Sequence, residues 1–450
     1  MLILTQLNSL WLLASLVVSE PAPRCRDTTV WLRQDAAPDG TPDLARRLDT
    51  WLASTPNLDD ELLSPEQIAA LNARNVATIG AFRDPISTTA AVMPIEAVDA
   101  ELKDRLAVMG ERVRSGEYVT SPAPPVGDTF AEASHRVENA FPVDRLVALV
   151  EPTDLRCIPM SAGLFRGRID PDFDRNQCSR LHPGDLLRVQ RETPDGWLYV
   201  RAGHAVGWVQ YPTLTPPLTA DELSLLSRPH LTLVDDLVPA TTTFGDLTFL
   251  RLGARFPTLP TPPGEPLHIL IPSPSGYTDA WLPPTSRVHM GTPAFTRRRA
   301  LTLLFDRLGD PYGWGGTHGF RDCSALLLDA LAVFDVRLGR NSAVQGLAGS
   351  EVIDTTQMSA PEKLAAIRKA HSQGLVFLYM PGHIMVYLGD LGGRPYAISA
   401  ISEYLLPCPE GGHQTVRIDR VDVTDLNRGE GTERTSFLSR ISRLSVFGPP

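Results

Sequence analysis

A cysteine and a histidine sixty positions apart carry side chains that could cooperate in nucleophilic catalysis. Cys323 lies in the segment Asp322-Cys323-Ser324, and His383 follows the dipeptide Pro381-Gly382. A thiol becomes an effective nucleophile when a base takes its proton, and that base is usually a histidine that the fold brings close. Such a pair would attack a carbonyl carbon and then protonate the leaving group.

Cys323 is predicted to lie at the start of a buried helix. The apolar run 325–336 contains many leucines and no helix breaker, which favours a helix over a loop. Unpaired N–H groups and the helix dipole would stabilise a thiolate there and lower the pKa of the thiol. The glycines of the preceding turn, 313–316, would let backbone approach closely. A cysteine can also be buried as a small apolar side chain, so both interpretations stay open.

His383 is predicted to begin a β-strand at the edge of the core. Apolar residues at 375–380 and 383–388 indicate two short strands, which the Pro-Gly dipeptide joins by a turn. A lone histidine at such a place is more often structural. A cysteine at a helix start together with a histidine at a strand start is, however, the arrangement of papain-like sites.

Four short motifs surround these two residues: YGWGG (312–316), DCSA (322–325), GRNS (339–342) and GHIMVYLG (382–389). Together they resemble the motifs of the NlpC-type cell-wall cysteine peptidases, and they occur in the family's order within residues 297–421. Upstream, DLRCIPM (154–160) and the segment from GDLLRV to GWV (184–209) resemble a bacterial SH3-like module.

The resemblance implies a cysteine peptidase that hydrolyses the γ-D-glutamyl to L-diamino acid bond of peptidoglycan stem peptides bearing a free N-terminal L-alanine. Cys323 would be the nucleophile, His383 the base, and backbone N–H groups near the cysteine would meet the oxyanion. The family orients its base with a third polar residue, usually histidine, from the next strand. Ser399 occupies that position here. Because a serine is shorter and uncharged, we expect reduced activity.

Two alternatives to this peptidase remain open. One is a catalytically weak or inactive relative that acts as a cell-wall-binding protein. The other is a different papain-like chemistry, such as that of an amidase or acyltransferase. Thiol reactivity and product analysis, respectively, would distinguish them.

The resemblance also implies a substrate pocket around the nucleophile. Asp322 can accept hydrogen bonds from an ammonium group, and Arg340 can form a forked pair of hydrogen bonds with a carboxylate. An ion pair between these two side chains within the fold is the alternative. The predicted substrate-binding residues are Asp322, Ser324, Arg340, Ser342, Tyr312 and Trp314.

The composition of the chain limits the kinds of molecule that we expect it to bind. The 450 residues leave room for roughly three domains. A net charge of −10 argues against nucleic acid as a main partner, because no basic footprint is present. The chain has no CxxC or HExxH spacing, so we predict no metal site. We expect no cofactor, and a monomer whose partners are peptidoglycan stem peptides.

The predicted fold class is α+β and multidomain: a papain-like peptidase domain, two small SH3-like β-barrels and a helical N-terminal segment. Residues 2–19 are typical of a secretory leader, although no Lys or Arg precedes them and a core helix is the alternative. The leader predicts a periplasmic or secreted protein. The predicted units are a signal peptide (1–19), a helical stabilising segment (20–140), a first SH3-like domain (141–215), a second SH3-like domain (216–290) and the peptidase domain (291–450).

Several further elements are predicted from local signals. A helix should begin at Ser64-Pro65, and 121–127 should be a linker. The odd number of cysteines, five, leaves at least one free thiol in an exported protein. Cys157 and Cys178 fall within one predicted β module and could pair, or both could be free and buried.

Overall fold

The computed structural model describes residues 25–38, 40–79, 83–120 and 129–449. The predicted leader at 1–19 and the predicted linker at 121–127 lie outside these residues. Within the described part, no helix is long and apolar enough to cross a membrane. Helices and largely antiparallel sheets occupy separate regions of the chain, which confirms the α+β class.

The N-terminal segment is mainly helical, and two of its strands pair with the C-terminal part of the chain. The predicted helix begins at Pro65, and Ser64 and Gln67 exchange the expected capping hydrogen bonds. The first strand runs parallel to residues 415–417, and the second pairs with Phe295 and Thr296. The elements are β1 (Thr29–Trp31), α1 (Leu48–Ser54), β2 (Glu61–Leu63), α2 (Pro65–Ile79), α3 (Ile95–Arg114), β3 (Tyr118–Thr120) and α4 (Phe130–Glu138).

A six-stranded antiparallel sheet forms the core of the next region, which we call the first module (141–210). A tight turn at Pro194-Asp195-Gly196 separates two of its strands, and Gly196 has a φ of +84°. Trp208 is buried against Tyr199 and helix α3, so this core includes the N-terminal segment. The strands of the sheet are β4 (Phe141–Ala148), β5 (Thr153–Arg156), β7 (Gln177–Leu181), β8 (Leu186–Glu192), β9 (Trp197–Arg201) and β10 (Val206–Gln210). Strand β6 (Leu164–Arg166) pairs with β3 instead.

Two small antiparallel sheets share one apolar core in the following region, which we call the second module (220–290). Their strand orders are β14-β11-β17 and β13-β12-β16-β15. That this unit is SH3-like stays a prediction. The elements are α5 (Ala220–Leu225), β11 (His230–Leu233), β12 (Val238–Thr242), β13 (Leu247–Leu250), β14 (Arg255–Pro257), β15 (Leu267–Ser273), β16 (Gly276–Leu282) and β17 (Val288–Met290).

The C-terminal region packs helices against a seven-stranded sheet of order β1-β23-β22-β21-β20-β24-β19. Alternate residues of β20 and β21 face opposite sides, so Phe377 and Val386 join the core of α7, whereas Val376 and Tyr387 pack toward α9. The elements are β18 (Phe295–Thr296), α6 (Arg297–Phe305), α7 (Cys323–Ala332), α8 (Ser342–Gln345), β19 (Glu351–Asp354), α9 (Ala360–Gln373), β20 (Leu375–Met380), β21 (His383–Leu391), β22 (Arg394–Pro407), β23 (His413–Asp425), α10 (Phe437–Arg440) and β24 (Arg443–Phe447).

Four of the five cysteines are paired. The disulfide Cys157–Cys178 lies within the first module, which confirms one of the two alternatives above. A second disulfide, Cys25–Cys408, joins the start of the described chain to the hairpin between β22 and β23. Cys323 is the remaining, free cysteine and it is buried. The single thiol of the chain is therefore the predicted nucleophile.

Candidate active site

Cys323 is the first residue of helix α7, as the sequence predicted. Asp322 is the N-cap, and its Oδ1 accepts a hydrogen bond from the N–H of Ala325 at 2.9 Å. The thiol is 6% exposed. The backbone N–H groups of Ser324 and Ile384 lie beside its sulfur and favour the thiolate form. The sulfur therefore lies between the helix N-terminus and the start of strand β21.

His383 is the first residue of β21 and directly precedes Ile384, whose N–H faces the sulfur. Because α7 packs against β21, the two groups that the sequence predicted to cooperate come from adjoining elements. The Nε2 atom of His383 lies 3.1 Å from Oγ of Ser399 on the neighbouring strand β22. This contact engages one ring nitrogen and leaves Nδ1 as the atom that would exchange a proton with the thiol.

The prediction that the helix N-terminus lowers the thiol pKa is wrong. Burial, reinforced by the nearby Asp322 carboxylate, raises the pKa of Cys323 to about 12. The neighbouring backbone N–H groups and Arg340 only partly oppose this. Burial, with Arg440 nearby, lowers the pKa of His383 to about 4. At neutral pH the resting pair is therefore a neutral thiol and a neutral imidazole.

Arg340 and Asp322 form a buried, forked ion pair, which was the alternative raised from the sequence. Arg340 donates hydrogen bonds to both carboxylate oxygens of Asp322, at 2.9 and 2.6 Å. It also donates to Oγ of Ser324 at 2.7 Å and to Oγ of Ser179 at 3.1 Å. The carboxylate also accepts from the N–H of Gly315 and from Ser324. These donors occupy the oxygens of Asp322, so they are not free for a substrate ammonium group.

The glycine-rich turn allows the first module to contact the catalytic region directly. A Cβ at Gly315 would collide with the carbonyl oxygen of Gln177, and one at Gly316 would lie 2.7 Å from Cβ of Arg180. Both glycines have positive φ, 60° and 86°. The side chain of Gln177 donates to the carbonyl of Gly315 at 3.3 Å. The close approach predicted for this turn is therefore made by strand β7.

A cavity of about 560 Å³ opens onto the thiol. Its walls come from the peptidase region, the first module and helix α3. All six predicted substrate-binding residues contribute to it, whereas His383 and Ser399 are not part of its lining. Those six are Tyr312, Trp314, Asp322, Ser324, Arg340 and Ser342.

Aromatic side chains form one side of this cavity. Phe173 of the first module packs against Tyr312 and Trp314, with ring centroids 6.0 and 5.8 Å apart. The guanidinium of Arg175 lies 4.0 Å from the centre of the Trp314 ring. Nε1 of Trp314 is buried without a hydrogen-bond partner within the described residues. The aromatic wall is thus fixed by the first module and holds an unused donor.

Sequence reasoning missed several charged residues of the cavity. Arg83 and Arg105 come from the N-terminal segment, as does Glu101, and Arg201 comes from β9. Glu101 pairs with Arg201 at 2.5 Å and lies 3.8 Å from Arg105. Arg83, Glu101 and Arg105 belong to no motif, and only the three-dimensional packing of α3 and the first module brings all four residues to the site.

Two parts of the sequence match known domain families. Residues 309–396 match the NlpC/P60 family, and residues 164–210 match an SH3 domain of the SH3b1 type. The NlpC/P60 match includes Cys323 and His383 but ends before Ser399. It supports a hydrolase of the cysteine peptidase class acting on the cell wall, and therefore an extracytoplasmic location.

The fold is similar to solved structures of low sequence identity. One is described as a novel NlpC/P60 endopeptidase from Photobacterium damselae subsp. piscicida, with a TM-score of 0.67 and 15% identity over 87% of this chain and 94% of that one. Another is an NlpC/P60 family protein from Bacillus cereus, with a TM-score of 0.48 and 15% identity over 68% of this chain and all of that one. No curated protein sequence gives a match.

The first of these likenesses extends over most of both chains, so it concerns the multidomain fold and not the peptidase region alone. Together with the two domain matches, it shows that this chain contains an NlpC/P60 domain and an SH3-like module.

Proposed function

We propose that this protein is a cysteine endopeptidase that hydrolyses the γ-D-glutamyl to L-diamino acid bond of peptidoglycan stem peptides. The observation that carries the proposal is the position of the one free thiol. It lies at the N-terminus of α7, and the N–H of Ile384, the residue next to His383, faces it. A nucleophile that is open to a cavity and a base on the adjoining element are the minimum that acyl transfer requires.

In the first step, Sγ of Cys323 attacks the γ-carbonyl carbon of the D-glutamyl residue while its proton moves to Nδ1 of His383. Because burial disfavours both charged forms, proton transfer should accompany attack and not precede it. The N–H groups at the start of α7 would stabilise the negative oxygen. The imidazolium then protonates the leaving amine as the C–N bond breaks, which leaves a thioester.

In the second step, a water molecule attacks the thioester. His383 takes one proton from this water and returns it to the departing sulfur, which restores the neutral thiol. The products are an amino-terminal fragment ending in D-glutamate and a fragment beginning with the diamino acid.

Ser399 has the role of holding His383 by the contact at Nε2. A serine hydroxyl can either donate to or accept from this nitrogen, so it can follow both protonation states of the ring. It carries no charge with which to stabilise the imidazolium. We therefore propose an active enzyme that is slower than one with a charged orienting group.

The substrate end that enters the cavity is proposed to carry a free N-terminal L-alanine, because helix α3 and the first module enclose this side of the site. An intact glycan strand attached there would have to displace these walls. The enzyme should therefore act on turnover fragments of the cell wall and work poorly on intact crosslinked wall. The two disulfides support a periplasmic or secreted location.

The proposal is tested by incubating L-Ala-γ-D-Glu-L-diamino acid tripeptides with the wild-type protein and with Cys323→Ala. We expect release of L-Ala-γ-D-Glu by the wild-type protein alone. An N-acetylated tripeptide serves as the matched substrate control and should be cleaved more slowly. Equal product with both proteins would contradict the proposal, and release of L-alanine from a muramyl peptide would favour an amidase.

A further inference from the structure

Positively charged side chains outnumber negatively charged ones in the lining of the catalytic cavity. Four guanidiniums and two carboxylates line it. The one imidazole, that of His204, has a pKa lowered by burial, so it adds no positive charge at neutral pH. The cavity is therefore cationic, and a ligand with a negative group is favoured there. The six charged residues are Arg83, Arg105, Arg201, Arg340, Glu101 and Asp322.

Three of the four guanidiniums are already committed to protein acceptors. Arg340 holds Asp322, and Arg201 holds Glu101 and the side chain of Gln190. Arg105 donates to the carbonyl of Val206 at 2.7 Å. The N–H donors of these three side chains hold the walls of the cavity together, so they are not available to bind a substrate.

Arg83 differs from the other three. It lines the cavity, yet it has no ion pair and no hydrogen bond with any described residue. A guanidinium presents several N–H donors in a fixed fork that matches a carboxylate. It is therefore the cavity's uncommitted binding group for an anion.

The proposed substrate carries a carboxylate close to the reacting atom. In a γ-linked D-glutamyl residue, the α-carboxylate is a branch only a few bonds away from the γ-carbonyl carbon. When that carbonyl lies at Cys323, the α-carboxylate must lie in or beside the same cavity. We propose that Arg83 binds this α-carboxylate and makes the enzyme selective for stem peptides with D-glutamate over those amidated to D-isoglutamine. This inference rests on the proposed function.

Binding to the Cys323→Ala protein tests the inference without requiring turnover. Calorimetry with L-Ala-γ-D-Glu-L-diamino acid and with its α-amide should give about tenfold weaker binding for the amide, the effect of one lost charge-assisted hydrogen-bonded pair. Adding Arg83→Gln should weaken binding of the acid by the same factor and leave binding of the amide unchanged. Arg83→Lys should retain part of the preference.

Two matched controls separate this contact from other effects. Arg114→Gln removes the same charge from an exposed site on α3, away from the cavity, and should not alter the preference. A peptide amidated at the C-terminal carboxylate of the diamino acid should bind like the parent acid.

Three results would overturn the inference: equal affinity for acid and α-amide, an equal loss for both in Arg83→Gln, or a loss confined to the C-terminal amide. Hydrolysis of both acid and amide by the wild-type enzyme at equal kcat/KM would overturn it while leaving the proposed peptidase intact. Absence of hydrolysis of either peptide would instead refute the peptidase.

Discussion

The two β modules contact the catalytic region in different ways. The first module supplies part of the cavity wall, including Gln177, Cys178 and Arg201. None of the described residues of the second module lines that cavity. The second module instead forms ion pairs with α7 and the residues before it: Asp236 with Arg321 at 2.6 Å, and Arg251 with Asp329 at 2.6 Å.

This difference in contacts indicates that the two modules, which are similar in size, have different roles. Arg321 is 3% exposed and directly precedes Asp322 and Cys323, so the second module fixes the start of the catalytic helix. The first module determines which groups a substrate meets. Changes in the second module should therefore alter stability and kcat, whereas changes in the first should alter KM.

The largest expected effect is in the second module. Asp236→Asn removes one partner of a buried ion pair and should lower the free energy of unfolding by roughly 3–5 kcal/mol. Labelling of the buried Cys323 thiol as urea is increased would measure it. Asp246→Asn, an exposed change in the same module, is the control and should leave the labelling midpoint unaltered. If Asp236→Asn instead raised KM without changing stability, the proposed difference in role between the two modules would be contradicted.

The disulfide of the first module should matter to both stability and substrate binding. The double variant Cys157→Ser/Cys178→Ser should lose about 3 kcal/mol of stability, because the unfolded loop is no longer closed, and should raise KM because Cys178 lines the cavity. Cys25→Ser/Cys408→Ser removes the other disulfide, which does not line the cavity, and should leave KM unchanged. A rise in KM in the second double variant alone would contradict this.

Acidic pH should lower the stability of the first module and of strand β21, which carries His383. Burial lowers the pKa of His182, His204 and His383 in the folded protein, so the unfolded chain binds more protons as the pH falls below 6.5. Stability should therefore be full above pH 6.5 and fall steadily toward pH 4, the value near which His383 itself titrates. Hydrogen exchange at pH 7 and 4.5 would measure this. His383→Gln should reduce the pH dependence, and an unchanged profile would count against it.

The smallest effect is expected at Ser399, which lies in strand β22, outside both modules. Ser399→Ala removes one hydrogen bond to His383 and should lower kcat about fivefold, the equivalent of about 1 kcal/mol. KM and the urea midpoint should stay the same. A kcat equal to that of the wild-type enzyme would show that the serine does not orient the base.

Local features of the site could be predicted from the sequence, because each depends on neighbouring residues. Cys323 at the start of the catalytic helix, His383 at a strand start and the close approach at the glycine turn follow from local chemistry. The pKa of Cys323 could not be predicted, since it depends on how deeply the tertiary fold buries the sulfur and on the proximity of Asp322.

Contacts between segments that are distant in the sequence could not be predicted either. Cys25 and Cys408 pair across 383 positions, and β1 adds an edge strand to the peptidase sheet. Arg83 and Glu101 reach the cavity from a segment in which the sequence showed only helix signals. Such placements result from the packing of whole elements, and no local pattern encodes them.

Trapping of the acyl intermediate tests the central claim most directly. Wild-type protein mixed with the tripeptide is quenched in acid and analysed by intact mass and peptide mapping. The proposed mechanism predicts an L-Ala-γ-D-glutamyl thioester on Cys323, with none in Cys323→Ala. Product release from wild-type protein with no adduct on Cys323, or equal product from Cys323→Ala, would contradict it.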